Sequence, residues 1–184
     1  MKRREKETPV YRLSPLPQGA LRGRFIVAAN VTESTYHVLS DYGKLGRRGH
    51  EGIVFWAGRE LGDVTVFTSA VAPKARSGPQ RVMVDATDVG NSAIAARRHA
   101  LAVLAQVHSH PGDDARHSDG DDSLIIQPFE GKLSIVIPRY GAGAPRLETW
   151  CIHQFQDGRW VLCDPESVRG GLVVAPSLLD LRHA

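Results

Sequence analysis

The sequence has few cysteines, only Cys151 and Cys163 in 184 residues. Two thiols cannot make a disulfide framework, so a packed apolar core must hold the fold, and a reducing, cytoplasmic setting is expected. No apolar run approaches the ~18 residues that a membrane helix needs, so no membrane partner is expected. The charged opening Met1–Glu7 leads into no apolar stretch and does not read as a secretory signal. An excess of one charge is also missing: 23 basic residues against 20 acidic ones leave a net charge of +3. The arginines Arg22, Arg24, Arg47, Arg48, Arg97 and Arg98 are scattered, and 5 Phe, 4 Tyr and 3 Trp form no stacking pattern. A nucleic-acid partner is therefore not expected. There is no internal repeat and no low-complexity segment.

What is present is an ordinary globular composition, 42% hydrophobic and 23% charged, at a length that suits one domain. Residues 1–20 are charged and then proline-rich (Pro9, Pro15, Pro17), and read as a flexible N-terminal arm. Residues 21–184 read as a single domain.

Arg24–Ala28 predicts a short strand. Asn30 is placed to cap a helix to about Tyr42, with Glu33 three residues on and Val31, Thr35, Val38, Leu39 and Tyr42 on one face. Gly43 ends that helix. Glu51–Gly58 predicts a buried strand and Asp63–Val71 its hairpin partner. Pro73–Pro79 reads as loop, Arg81–Val84 as a short strand and Asp88–Ala100 as a helix. Ala102–His110 reads as a strand stopped by Pro111, and Ser118–Ser123 as the start of a short helix. Lys132–Ile137 is a strand. Thr149–Phe155 and Arg159–Cys163 form a hairpin around Asp157-Gly158, which suits a type I′ turn. In that register Cys151 faces residue 164, so it cannot pair with Cys163. The apolar tail from Val168 to Leu181 is expected to pack on the domain. This order predicts an α+β domain with one mixed or antiparallel sheet.

The chemistry concentrates in His108-Ser109-His110-Pro111 and Ser118-x-x-Asp121. On a strand His108 and His110 project from one face, where two imidazoles can share a divalent ion. Ser118 and Asp121 share a face of a helical turn, which can carry the Asp121 carboxylate back to the histidines. Two His and one carboxylate leave tetrahedral zinc an open position, the arrangement of a catalytic site, where a water has its pKa lowered to about 7. Ser118 can donate to a developing oxyanion. The other histidines (His37, His50, His99, His117, His153, His183) have no such spacing, and surface or satisfied-core roles are expected of them. His50 and His117 stand next to site residues in sequence and are candidates to support them.

The pattern H-x-H-P-x6-S-x2-D resembles the signature of the JAMM (MPN+) zinc metalloprotease family, in its compact prokaryotic form. By element order the resemblance runs over about residues 24–163. It implies the MPN/JAMM fold, a cytidine-deaminase-like mixed, curved sheet flanked by helices. It also implies one catalytic Zn2+ held by His108, His110 and Asp121, Ser118 as a stabiliser of the tetrahedral intermediate, and an upstream glutamate as general base. Glu51, at the head of an apolar strand, fits that place better than Glu33 or Glu60, although Val54 stands where many members have glycine. The implied reaction is hydrolysis of the amide after the C-terminal glycine of a ubiquitin-like protein, in maturation or deconjugation. The implied setting is a bacterial ubiquitin-like system with activating and conjugating enzymes, some of them antiviral. Two alternatives stay open: processing of a sulfur-carrier protein by the same site, and a non-catalytic MPN scaffold. Arg169-Gly170-Gly171 is similar to the tail of a ubiquitin-like modifier but reads as a Gly-Gly turn.

Overall fold

The computed structural model describes residues 14–124, 128–143 and 146–176. In chain order the elements are β1 (Gln18–Gly19), β2 (Arg24–Ala28), α1 (Ala29–Gly43), β3 (Ile53–Leu61), β4 (Val64–Val71), β5 (Arg76–Gly78), β6 (Arg81–Met83) and α2 (Ala86–Arg97). They continue as β7 (Ala102–Ser109), α3 (Asp119–Leu124), β8 (Leu133–Ile137), β9 (Cys151–Gln156), β10 (Arg159–Cys163), α4 (Pro165–Gly171) and β11 (Leu172–Ala175). Nine strands form one mixed sheet in the order β1-β10-β9-β8-β7-β3-β4-β2-β11, and β5 and β6 pair separately. The α+β expectation holds. Among the described residues no helix is long and apolar enough to cross a membrane.

Strand alternation gives the centre of the sheet two chemically different faces. One carries Val54, Trp56, Ala105, Val107, Leu133, Ile135 and Ile152, all nearly or fully buried, and α1 covers it with Val31, Tyr36 and Leu39. Burying each large side chain here contributes about 1.5–3 kcal/mol. Trp56 Nε1–H donates to Thr35 Oγ1 at 2.8 Å, and that hydroxyl donates to the Val31 carbonyl at 2.7 Å, so the indole enters the core satisfied. The other face carries Gln106 and His108 on β7, Ser134 on β8 and His153 on β9, and it faces the candidate site. β3 carries bulges at Trp56/Ala57 and Ala57/Gly58 that bend the sheet. Only glycine fits at Gly58, because a Cβ there would lie 2.0 Å from the Val66 carbonyl oxygen.

Several expectations need correction. Asn30 is not a cap: β2 runs straight into α1, Ala28 is the N-cap residue, and Asn30 and Glu33 lie inside the helix. α2 begins at Ala86, two residues early, and its N-cap Asp85 makes no side-chain cap because Arg76 takes its carboxylate at 2.7 Å. Part of the loop over 73–79 is strand β5, paired with β6. The arm expected over 1–20 is not all arm, since Gln18 and Gly19 pair with Leu162 and Cys163 of β10. Residues 1–13, and with them most of that arm, lie outside the described residues, as does the tail beyond 176, including His183. Arg169-Gly170-Gly171 is the last turn of α4 and not a free Gly-Gly turn. The 157–158 hairpin turn is as predicted, with Asp157 at φ 52° and Gly158 at φ 77°. Both cysteines are free.

Candidate metal centre

Strand β7 delivers the two histidines. His108 lies near its end and His110 one residue beyond it, on the same face. The His110 backbone is held on both sides: its N–H donates to the Ile137 carbonyl at 2.9 Å, and its carbonyl accepts from Tyr140 N–H at 2.8 Å. Pro111 then turns the chain into an irregular loop that returns through Ser118 to α3. That return brings Asp121 back to the histidines. Asp121 Oδ1 is 3.2 Å from His108 Nε2, Asp121 Oδ2 is 3.2 Å from His110 Nε2, and the two Nε2 atoms are 3.2 Å apart. The three ligand atoms all lie within 4.8 Å of one another.

The residues around these atoms fix their direction. His110 Nδ1 lies 3.1 Å from the Asp114 carbonyl, so Nδ1 carries the hydrogen and Nε2 offers its lone pair to the centre. Ser118 donates twice to Asp121 Oδ2, from its backbone N–H at 2.6 Å and its hydroxyl at 2.8 Å. The Ser118 hydroxyl also accepts the Asp121 N–H at 3.2 Å. Ser118 thus aims the ligand carboxylate. Burial alone would raise the Asp121 carboxyl, but the two imidazoles outweigh it and hold it well below the usual range. Burial works against a charged His110, yet Asp121, then Glu51 and the Asp114 carbonyl, push its pKa up.

Glu51 reaches the same centre from two residues ahead of β3. The register Ile53↔His108 continues past the strand end: Gly52 N–H donates to Ser109 Oγ at 3.0 Å and Ser109 N–H to the Gly52 carbonyl at 3.1 Å. One step further puts Glu51 across from His110, as a cross-strand neighbour on its face. Its backbone N–H is held by the Gly78 carbonyl at 2.9 Å. The side chain is buried, 6% exposed. Burial raises its pKa to about 8, with His110 lowering and Asp121 raising it further. The rival glutamates Glu33 and Glu60 are exposed, on α1 and the outer half of β3.

The structure therefore brings together all five residues singled out in the sequence. His50 is half-buried and meets Ser77 Oγ at 3.0 Å through Nδ1, beside Glu51 but not in the centre. His117 and His153 are fully buried behind His108. Sequence spacing missed Ser109 and Ser134. The visible signal was a polar residue within an apolar strand, Leu133-Ser134-Ile135 above all. The donor set of two imidazole nitrogens and one carboxylate, converging at these separations, fits a divalent transition metal.

An α+β sheet that gathers a His-His-Asp cluster and a buried glutamate near its strand ends fits a metal-binding domain. Residues 45–152, more than half of the chain and including all five site residues, match the family described as prokaryotic homologs of the JAB domain, and the chain belongs to that family. It is 35% identical over 100 residues to probable metalloprotease y4jG of Sinorhizobium fredii, a match covering 52% of this chain and 61% of that one. The fold is similar to the solution structure of protein DSY2949 from Desulfitobacterium hafniense, at TM-score 0.61 and 14% identity over 87% of this chain and 98% of that one. It is also similar to a solution structure from Salinibacter ruber, at TM-score 0.53 and 19% identity over 86% and 97% of the two chains.

Proposed function

We propose that the chain is a zinc-dependent peptidase or isopeptidase that hydrolyses the amide after the C-terminal glycine of a ubiquitin-like protein. The observation that carries the hydrolase reading is the buried Glu51 carboxyl, raised in proton affinity and set across from His110 in the His108–His110–Asp121 cluster. The relative's name, probable metalloprotease, supports the same chemistry. The family resemblance carries the substrate class.

His108, His110 and Asp121 would hold the ion, which when bound supplies Lewis acidity to a water and a carbonyl oxygen. Glu51 takes one proton from the attacking water as oxygen bonds to the carbonyl carbon. It then delivers that proton to the amine nitrogen as the C–N bond breaks. The value of about 8 belongs to the metal-free site; a bound divalent cation nearby would favour the ionised carboxylate that takes the proton, and burial would favour its holding that proton until the amine leaves. Ser118 keeps Asp121 aimed at the centre by donating its hydroxyl hydrogen to Oδ2, and the oxyanion role that the resemblance implies would need that hydrogen to turn away from Asp121.

The test is cleavage of a ubiquitin-like protein extended at its C-terminus, from the same genome, followed by intact mass with and without a chelator. Chelator-sensitive cutting after the terminal glycine is expected. Glu51→Ala should lower the rate by about 10²-fold or more while leaving about one metal ion per chain. Cleavage of a sulfur-carrier protein alone would redirect the substrate assignment, and metal-free, inactive protein would leave a scaffold.

A further inference from the structure

Behind the metal centre the sheet carries a row of polar side chains where an apolar row would pack more simply. Gln106, Ser134 and His153 are register neighbours on β7, β8 and β9, and all three are buried. The ring of His117, from the irregular loop that brings Asp121 home, lies on this row. It stacks on His153 at 3.8 Å between centroids, with an interplanar angle of 17°, and meets the edge of Trp160 at 5.3 Å. Its backbone N–H donates to His153 Nε2 at 3.3 Å. His153 Nδ1 in turn sits 3.3 Å from the Ser134 carbonyl, which assigns the His153 hydrogen to Nδ1.

The His117 ring is pinned at both nitrogens. Nδ1 lies 3.1 Å from Asp122 Oδ1, and a carboxylate only accepts, so Nδ1 carries the hydrogen. Nε2 then accepts the Ser134 hydroxyl at 2.7 Å, and Ser134 Oγ accepts the Gln106 amide at 3.1 Å. The bonds run one way, from Gln106 through Ser134 and His117 to Asp122. Gln106 Oε1 has no partner among the described residues, although the residue is only 2% exposed. A buried orphan acceptor is destabilising, so stability alone does not account for the row.

The position of the chain does. His117 and Asp122 flank Ser118 and Asp121 on either side, so their bond closes the turn that presents the ligand carboxylate. His117 then fixes the closed turn to β8 and β9, and its ring passes 6.1 Å from that of His108. We infer that His117, held by Asp122 and Ser134, is a positioning residue that locks the Asp121 turn onto the sheet and so presets the distance between Asp121 and the two histidines. The inference rests on the metal reading of His108, His110 and Asp121. Its consequence is preorganisation: metal ligands whose outer hydrogen bonds are cut lose about 10- to 100-fold in affinity.

The test measures zinc affinity of the full chain by competition with a chromogenic chelator. It adds the visible absorption of the Co2+-loaded protein and the unfolding midpoint of the metal-free protein. Ser134→Ala and His117→Phe, which keeps the stack but loses both ring hydrogen bonds, should each bind zinc about tenfold or more weakly and alter the Co2+ spectrum. Ser134→Thr, which keeps the hydroxyl, should restore both. A lowered midpoint with zinc affinity within twofold of the parent would overturn the inference and leave the row a structural device. Should His117→Phe fail to fold, Ser134→Ala decides alone. If the parent binds no zinc, or Asp121→Ala binds as tightly as the parent, the metal reading falls and this inference with it. If Asp121→Ala loses zinc while Ser134→Ala keeps it, only the positioning role falls.

Discussion

Glu51 is a carboxyl that the fold keeps from water, and the cost of doing so can be read in its titration. In the unfolded chain it ionises near 4.5, whereas burial raises it to about 8 in the folded one. Between those values the native state holds a proton that the unfolded state has lost, so stability falls as pH rises through this window. Each pH step of one costs about 1.4 kcal/mol there, so the penalty is on the order of a few kcal/mol by pH 8. Glu51→Gln removes it. Metal-free Glu51→Gln should therefore be more stable than the parent at pH 8, with the difference shrinking toward pH 4.5. Denaturant titrations at the two pH values measure this, and an unchanged difference across them would mean that Glu51 is not the buried acid described. The same substitution should nearly abolish hydrolysis, because an amide can neither take nor return the proton. Gain of stability with loss of activity is the signature expected of a residue whose burial serves catalysis.

At the scale of elements, the site depends on how β3 meets β7. Gly52 is bonded to Ser109 through both its N–H and its carbonyl, and it has no room for a side chain. A Cβ there would stand 2.6 Å from Tyr42 Cδ2 and 3.0 Å from Leu39 Cδ2 of α1. Gly52→Ala should destabilise the fold by about 1–3 kcal/mol. It should also lower kcat through displacement of Glu51, while zinc affinity stays near the parent's, because all three ligands lie on other segments. Equal losses of kcat and of zinc affinity would show that the β3–β7 junction sets the ligands as well. This junction also shows what was legible in the sequence. His108 and His110 follow the two-residue period of a strand, and Asp157-Gly158 announces its turn, so local rules place them. Ser118 and Asp121 follow the spacing of a helical turn, most longer elements follow their own periods, and Glu51 came from the family resemblance alone. β1 and β5 were not legible, because two or three polar residues held by backbone pairing leave no periodic trace. The capping role of Asn30 failed because β2 enters α1 without a break. The His117–Ser134 bond joins residues 17 apart, through a register that no local pattern encodes.

Across the whole molecule, three chain segments far apart in sequence meet at one end of the sheet: Glu51 ahead of β3, His108 and His110 at the end of β7, and Asp121 on α3. A metal ion bound there ties the 111–118 loop and α3 to the sheet, a connection that the unfolded chain cannot make. Its binding energy therefore adds to folding stability, by about 4 kcal/mol when free zinc stands at 1,000 times its dissociation constant. In a chain of this size each kcal/mol moves the midpoint by about 2–4 °C, so the zinc-loaded protein should unfold some ~10 °C above the chelated one. Asp121→Ala should show no such difference. It should also unfold below the chelated parent, since the variant loses the contacts of Asp121 with two imidazoles and with Ser118. Calorimetry of both proteins, with zinc and with chelator, makes the comparison. A parent midpoint that ignores the chelator would mean that the sheet alone fixes the His-His-Asp geometry. A midpoint that moves in the parent and not in the variant would mean that the ion is the last piece of the fold, joining the loop to the strands that the polar row beneath it has already set in register.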